Sequence, residues 1–318
     1  MRITQRICTA IIAAAITLPA LAEYPDKPIE VILPWPALAT STDIIARKVA
    51  EQMAPQLGQP IKIVNRPGGA AVVGTQEMAR ARPDGYTVGG LTIGPAVSQI
   101  AAGNTPYQIE DLKPIGLFAT LPFLIAARGD APFNDVKSLA AWSKTAAKPP
   151  VLAHWGKATV PTLSTYRIGK QAGFKFNEVA YTTVDASQLL NKEADLAIVP
   201  LTAVLGNFKD GSLKPIVALT SGRMSQLPDL KTVKEQGMDF DVAIWTGLFA
   251  PKNTPDAVIA KLNAAMTKAV ASAEVQAFAK ESGILIYASS PKEAALQMKS
   301  EYDAFLGIMT ELGLTKKK

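Results

Sequence analysis

The chain of 318 residues has a single cysteine, Cys8, and a single histidine, His154. A disulfide needs two thiols and a zinc site needs several Cys or His ligands, so the sequence predicts neither. A Ser-His-Asp arrangement would have to use His154, and the chain lacks the Gly-x-Ser-x-Gly motif that presents a nucleophilic serine. We therefore expect no catalytic residue, no metal, no cofactor and no enzymatic activity, with a periplasmic hydrolase as the remote alternative.

Long hydrophobic runs are also scarce. Residues 7–21 are almost wholly apolar, follow Arg2 and Arg6, and end in a small-x-small tripeptide, which is the pattern of a cleaved signal peptide. The run is shorter than the roughly 20 residues of a membrane-spanning helix. We expect residues 1–22 to be a signal peptide cleaved before Glu23. The mature chain should then be periplasmic, without a lipid anchor or membrane insertion.

Charge of either sign is modest. The formal net charge is +6, and two of the positive charges belong to Arg2 and Arg6. Nucleic-acid binding would need a clustered basic face with aromatics, which this mild excess does not predict. A content of 48% hydrophobic and 19% charged residues is typical of a soluble globular protein, and the length suggests two domains.

Short apolar runs alternate with helical patterns along most of the chain, which is typical of an α/β architecture with mainly parallel sheets. The first part predicts strands at residues 29–33, 61–64 and 87–92 and helices at residues 43–57 and 73–81. The second part predicts strands at residues 151–154, 177–181, 196–200 and 215–219 and helices at residues 136–144, 160–172, 187–191 and 203–210.

Two extended apolar segments, residues 115–127 and 242–251, flank the second part, so the chain should cross between domains twice. Helices at residues 255–271, 274–281 and 291–312 then return to the first domain. We predict that domain 1 comprises residues 23–125 plus 248–318 and that domain 2 comprises residues 126–247. The carboxyl ends of parallel strands would face the cleft between them, where ligands bind in such folds.

Residues 34–47 form the candidate ligand-binding loop of domain 1. They lead from a strand into a helix, whose first N–H groups lack internal partners and can hold a carboxylate without Arg or Lys. Asp43 is predicted to cap this helix rather than to contact a ligand. The candidate ligand-binding residues in the loop and at two other strand ends are Trp35, Ala37, Ala39, Thr40, Ser41, Thr42, Thr92, Thr182 and Thr183.

Several short motifs follow one another in a fixed order. They are Tyr24-Pro25-Asp26-Lys27-Pro28-Ile29, Pro34-Trp35-Pro36-Ala37, Thr42-Asp43-Ile44-Ile45-Ala46-Arg47, Leu57-Gly58-Gln59-Pro60, Val64-Asn65-Arg66-Pro67-Gly68-Gly69, Pro83-Asp84-Gly85-Tyr86-Thr87, Leu227-Pro228-Asp229, Trp245-Thr246-Gly247-Leu248-Phe249-Ala250-Pro251 and Lys261-Leu262-Asn263. Each motif alone is weak. As an ordered set covering nearly all of the chain after residue 22, they resemble the substrate-binding proteins of tripartite tricarboxylate transporters, the Bug family.

The resemblance implies a two-lobed periplasmic binding protein fold, type II-like, with two α/β domains joined by two crossover strands. It implies a receptor that closes over a small organic anion, commonly a dicarboxylate, and delivers it to membrane permease subunits. We expect a monomer. The alternative is a ligand-sensing partner of a membrane sensor kinase.

The resemblance also implies that a second loop, from the other lobe, grips the ligand. It matches residues 153–162, and its candidate ligand-binding residues are His154, Trp155, Lys157 and Thr159. Relatives usually carry a Gly-Gly pair in the first loop and Ser-Ala-Gly-Asn-Gly-Thr-Ser in the second. This chain reads Leu38-Ala39-Thr40-Ser41 and His154-Trp155-Gly156-Lys157-Ala158-Thr159 instead, which leaves the ligand's identity open.

Structural interpretations exist for the same residues. Lys157 could be a solvated loop lysine, Trp35 a packing residue and His154 a hydrogen-bonded structural histidine. If Trp35 and Trp155 both contact the ligand, their positions favour an aromatic or extended carboxylic acid.

Overall fold

The computed structural model describes residues 24–38, 41–240, 242–311 and 313. The expected signal peptide, together with Ala39 and Thr40 of the first loop, lies outside the described residues. None of the helices within those residues is long and apolar enough to cross a membrane.

Strands and helices alternate along the chain. In chain order the strands are β1 (Ile29–Leu33), β2 (Ile61–Asn65), β3 (Thr87–Thr92), β4 (Leu112–Thr120), β5 (Phe123–Arg128), β6 (Val151–His154), β7 (Asn177–Ala180), β8 (Leu196–Pro200), β9 (Leu213–Leu219), β10 (Trp245–Pro251) and β11 (Leu285–Ile286). The α-helices are α1 (Ser41–Leu57), α2 (Val72–Ala79), α3 (Gln99–Ala101), α4 (Val136–Thr145), α5 (Val160–Ala172), α6 (Ser187–Leu190), α7 (Leu205–Lys209), α8 (Asp256–Val270), α9 (Ala273–Ser282) and α10 (Pro291–Glu311).

The strands form two mixed sheets, one in each lobe. The first has the order β11-β4-β10-β3-β1-β2 and the second the order β7-β6-β8-β5-β9. Strands joined through helices pair in parallel, as β1 does with β2 and β3 and as β6 does with β7 and β8. Strands β5 and β10 arrive directly from the other lobe and run antiparallel to both neighbours. The prediction of mainly parallel sheets is therefore wrong, since five of the nine strand pairs among the described residues are antiparallel. Four of these five involve β5 or β10, whose direction is set by the crossover, and the fifth joins β11 to β4.

Burial explains why the first strand and helix form where they do. Four of the five residues of β1 are buried, as expected for a strand covered on both faces of a sheet. On α1, the side chains of Ile45, Val49 and Met53 recur every fourth residue and are almost fully buried. This apolar face packs against α8 and fixes the direction in which the helix leaves the loop after β1.

The chain passes between the lobes at residues 121–122 and 242–244, and we call these two segments the hinge. At the hinge, the Leu121 amide donates to the Ile244 carbonyl (2.8 Å) and the Leu201 amide donates to the Pro122 carbonyl (2.8 Å). Proline has no N–H to continue a ladder, so the predicted single segment 115–127 is divided into β4 and β5. The two predicted crossovers are confirmed. The predicted domain limits, after residues 125 and 247, fall inside β5 and β10.

Most other elements match their predicted positions within a few residues, and β1, β3, β6, β8 and α5 match at both ends. The helix predicted at residues 203–210 begins two residues too early. There the chain makes a 3₁₀ turn, Leu201–Ala203, and the short α7 begins only after Val204, which has a non-helical backbone.

Candidate functional site

The segments that follow β1 in one lobe and β8 in the other come into contact. Ser41 Oγ, at the start of α1, lies 3.2 Å from Thr202 Oγ1, in the turn after β8. These residues are 161 positions apart in the chain. Thr202 was not among the predicted site residues, although it follows the carboxyl end of a strand as Thr182 does. That strand-end position is the sequence signal that could have found it.

A buried charge network supports the first loop from below. Asp43 is fully buried in the first turn of α1. Its Oδ2 accepts hydrogen bonds from Arg47 Nε (2.7 Å) and the Leu38 amide (2.8 Å), and its Oδ1 accepts from Asn65 Nδ2 (2.6 Å). Burial alone would raise the pKa of Asp43, but these donors outweigh it and hold the pKa below its usual range. Asp43 is the third residue of α1 rather than the cap before it, and these contacts join it to the loop, to Arg47 and to β2.

The other residues of the first loop are more exposed than Asp43. The Trp35 carbonyl accepts from Asn65 Nδ2 (2.7 Å), while the half-buried indole packs against the larger hydrophobic core. Ala37 is exposed, and Leu38 is 69% exposed with a φ of +56°. Ser41 is partly exposed beside Thr202, and the neighbouring Thr42 is buried.

His154 ends β6 and is almost completely buried. Its Nδ1 accepts the Gly156 amide (2.9 Å), which is possible because Gly156 adopts a φ of +114°. Its Nε2 lies 3.5 Å from Glu178 Oε2. Burial lowers the pKa of His154, and the nearby Glu178 offsets this only in part. The imidazole is therefore neutral at pH 7 with its proton on Nε2, and these contacts fit the structural interpretation of this residue.

The other side chains of the second loop also have partners within their own lobe. Lys157 is 62% exposed, and its ammonium pairs with Glu178 Oε1. The Trp155 indole donates to the Ile198 carbonyl (3.1 Å), and its ring packs against the smaller hydrophobic core. Thr159 Oγ1 donates to the Gly156 carbonyl (3.0 Å) at the start of α5.

Glu178 joins the second loop although sequence reasoning did not select it. In the parallel register of β6 and β7, Leu152 lies opposite Glu178 and His154 opposite Ala180, so Glu178 and His154 point to the same face of the sheet. The acidic residue one strand away from His154 and Lys157 is what neutralises this part of the loop. Only the strand pairing brings it there.

The remaining predicted residues lie at strand ends. Thr92 ends β3, is partly exposed and faces Thr246 of β10 in the antiparallel register. Thr182 and Thr183 are exposed in the turn after β7. Among the residues that the structure describes, no group of three or more His, Cys, Asp or Glu side chains is arranged to hold a metal ion.

Two α/β lobes joined by a double crossover, with a helix start of one lobe in contact with a strand-end turn of the other, have the architecture of a two-lobed solute-binding protein. The sequence model of the tripartite tricarboxylate transporter family receptor, TctC, matches residues 45–314. The chain belongs to this family of substrate-binding receptors. The resemblance to the Bug proteins and the predicted fold class are confirmed.

Relatives match over nearly the whole chain. A UPF0065 protein of Bordetella pertussis is 30% identical, with 98% of this chain and 97% of that protein covered. The solved structure of periplasmic binding protein BugD is 29% identical with a TM-score of 0.78, covering 92% of this chain and 100% of BugD. The structure of MatC from Rhodopseudomonas palustris with bound malate is 26% identical with a TM-score of 0.76, covering 90% of this chain and 99% of MatC.

Proposed function

We propose that this chain is a periplasmic receptor that captures an organic carboxylate between its lobes and delivers it to a tripartite tricarboxylate-type permease. The contact between Ser41 and Thr202 carries the proposal, because it joins the loop after β1 in one lobe to the turn after β8 in the other. The bound malate of MatC supports a carboxylate, and a dicarboxylate first of all. Aromatic diacids belong to the same proposal, since Trp35 and Trp155 lie on the two loops.

The first loop binds one carboxylate in this proposal. The helix start of α1 supplies N–H groups and partial positive charge, and Ser41 adds a hydroxyl donor. Thr202 and the second loop then contact the far end of the ligand, and the lobes close about the hinge. We propose residues 121–122 and 242–244 as the domain limits, since the chain leaves one sheet and enters the other there.

A receptor role requires no chemistry on the ligand. Among the described residues, no Ser or Thr hydroxyl contacts His154, whose two ring nitrogens face Gly156 and Glu178. A hydrolase would need such a nucleophile. Recovery of the bound acid unchanged after prolonged incubation supports the receptor, and its conversion would favour the hydrolase.

A thermal-shift screen over mono- and dicarboxylic acids, aliphatic and aromatic, tests the proposal. A ligand that binds only the folded state at about 100 times its Kd adds about 2.7 kcal/mol to the free energy of unfolding, which raises Tm by several degrees. The dimethyl ester of each stabilising diacid is the matched control and should give no shift. If no acid raises Tm, the carboxylate proposal is wrong.

A charge placed in the cleft locates the site. Thr202→Asp puts a carboxylate beside Ser41 and should weaken binding of an acidic ligand by about tenfold or more, through like-charge repulsion. Thr145→Asp adds the same charge at the exposed end of α4 and should leave Kd unchanged. Equal effects of the two variants would contradict the placement of the site between the lobes.

Co-purification identifies the partner. With the stabilising acid present, the immobilised protein should retain permease subunits from solubilised membranes. Retention of a sensor kinase instead would favour the sensing role over transport.

A further inference from the structure

The first loop has a conformation that its own side chains do not explain. Leu38 has a φ of +56°, in the left-handed region that L-residues with a Cβ disfavour. Its side chain is 69% exposed, so little packing holds it in place. A backbone in this region persists only where its surroundings impose it.

Two hydrogen-bonded side chains, Asp43 and Asn65, hold the backbone of the first loop. Asp43 Oδ2 accepts a hydrogen bond from the Leu38 amide at 2.8 Å, which fixes the part of the loop that precedes α1. Asp43 Oδ1 accepts a hydrogen bond from Asn65 Nδ2 at 2.6 Å. The same amide nitrogen donates to the Trp35 carbonyl at 2.7 Å, which fixes the part of the loop that follows β1. One carboxylate thus reaches both parts of the loop, once directly and once through a neighbouring strand.

Arg47 keeps this carboxylate in place. Its Nε donates to Asp43 Oδ2 at 2.7 Å, and its guanidinium also reaches Asn65 Oδ1. Arg47 therefore sets both the charge of Asp43 and the rotamer of Asn65. Asp43 is fully buried, and the three side chains bond to one another and to the backbone of Trp35 and Leu38. The network would then act on the ligand through the backbone that it holds.

We propose that Asp43 is the positioning residue of the ligand-binding loop, holding the backbone of residues 35–38 in the conformation that receives the carboxylate. The inference rests on the proposed function, since it assigns this loop to ligand binding. Asn65 is the relay to Trp35, and Arg47 is the counter-ion. A residue that only stabilised α1 would need neither the bond to Leu38 nor the relay to Trp35.

The test compares Asp43→Asn with the wild type by calorimetric titration, with malate as the first probe and otherwise the acid that gives the largest thermal shift. The Asn variant keeps the shape but turns a donor toward Asn65 and Arg47, so Kd should rise about tenfold or more. The binding stoichiometry should stay near one, because a loss of folded protein lowers the stoichiometry rather than the affinity. Glu235→Gln is the matched control.

Glu235 suits that purpose because it also accepts from an arginine, Arg223 Nε (2.8 Å), and from a backbone amide, that of Thr232 (2.9 Å). It lies in the other lobe, away from the strand-end loops, so Glu235→Gln should leave Kd unchanged. If Asp43→Asn fails to fold, Asn65→Ala replaces it, since that change removes the support of Trp35 and leaves the ion pair between Asp43 and Arg47.

A second substitution distinguishes a positioning role of Asp43 from a general contribution to stability. Glycine adopts a positive φ without help, so adding Leu38→Gly to Asp43→Asn should recover part of the lost affinity. Hydrogen exchange gives a readout without any ligand: the Leu38 amide should exchange faster in Asp43→Asn, with protection elsewhere unchanged. An unchanged Kd and an unchanged Leu38 exchange rate in Asp43→Asn overturn this inference, whereas a wild type that binds no acid overturns the proposed function.

Discussion

Two carboxylates, the fully buried Asp43 of α1 and the partly buried Glu301 of α10, have opposite surroundings. Asp43 accepts hydrogen bonds from a guanidinium, an amide nitrogen and a side-chain amide. Glu301 on α10 accepts only neutral donors, Trp245 Nε1 (2.6 Å) at the start of β10 and Gln297 Nε2 (3.0 Å).

The pKa values of the two groups follow their donors. Burial raises the pKa of Glu301 to about 7, and its two neutral donors offset this only in part. For Asp43 the charged partner and the extra donors reverse the effect of burial, and the pKa is lowered. Burial therefore does not decide the charge of a carboxyl group in this protein. The charge of its partners does, so Asp43 is an anion at neutral pH while Glu301 titrates near neutrality.

The largest expected effect is the loss of stability when Asp43 is removed. Asp43→Ala leaves Arg47, Asn65 and the Leu38 amide without their shared acceptor, and should lower the free energy of unfolding by about 3 to 5 kcal/mol. Urea denaturation at pH 7 measures this.

Its matched control is Asp303→Ala on α10, which removes another pair at the same helical spacing, Lys299 with Asp303 (3.0 Å), but an exposed one. That loss should be within about 1 kcal/mol. Equal losses in the two variants would show that the network below the loop is no more than a surface ion pair.

The second-largest expected effect is on the pH dependence of stability, through Glu301. The folded-state pKa of Glu301 is raised from 4.5 to about 7, so the folded form retains this proton at pH values where the unfolded chain has lost it. The stability that the protonated group provides is fully present below pH 4.5 and is lost as the pH rises through about 7. The difference corresponds to roughly 3 kcal/mol.

Glu301→Gln cannot titrate and should remove this slope, so its stability relative to the wild type should increase between pH 4.5 and pH 8. Denaturation at a series of pH values checks this. Glu281→Gln, on the exposed surface of α9, is the control and should leave the slope unchanged. A wild-type slope that survives in Glu301→Gln would show that another group is responsible.

The smallest effect is expected at the second loop, whose charges pair near the surface. Lys157→Met removes the exposed partner of Glu178 and should change the free energy of unfolding by no more than about 1 kcal/mol. Because the Lys157 ammonium lowers the pKa of His154, that pKa should rise in the variant, as NMR titration of the single imidazole would show.

Lys170→Met is the control for this change, since Lys170 pairs with Glu311 (2.8 Å) at similar exposure and is not among the charges that shift the pKa of His154. It should leave the pKa of His154 where it is. A fall in the pKa of His154 in Lys157→Met would contradict the electrostatic account of the second loop.

Sequence patterns were sufficient where the determinants are local. The order of strands and helices follows from apolar periodicity. The polar residues after β1, β6 and β7 were selected because ligands bind at the carboxyl ends of parallel strands in such folds. The same reasoning did not find Glu178, because only the pairing of β6 with β7 brings it to the second loop. It also passed over Thr202, although that residue follows the end of a strand. It also predicted mainly parallel sheets, since the direction of strands such as β5 and β10 is absent from a hydrophobic pattern.

The sequence by itself determined the α/β class, the family and the two loops on which the proposed function depends. Only the tertiary structure decided which charges those loops present. Residue spacing within an element is set by the period of the helix or strand, whereas contacts such as Ser41 with Thr202 or Trp245 with Glu301 join segments 161 and 56 residues apart. Such contacts depend on how the sheets and helices pack, and they determine that Asp43 is a held anion, that Glu301 titrates and that Lys157 is already paired.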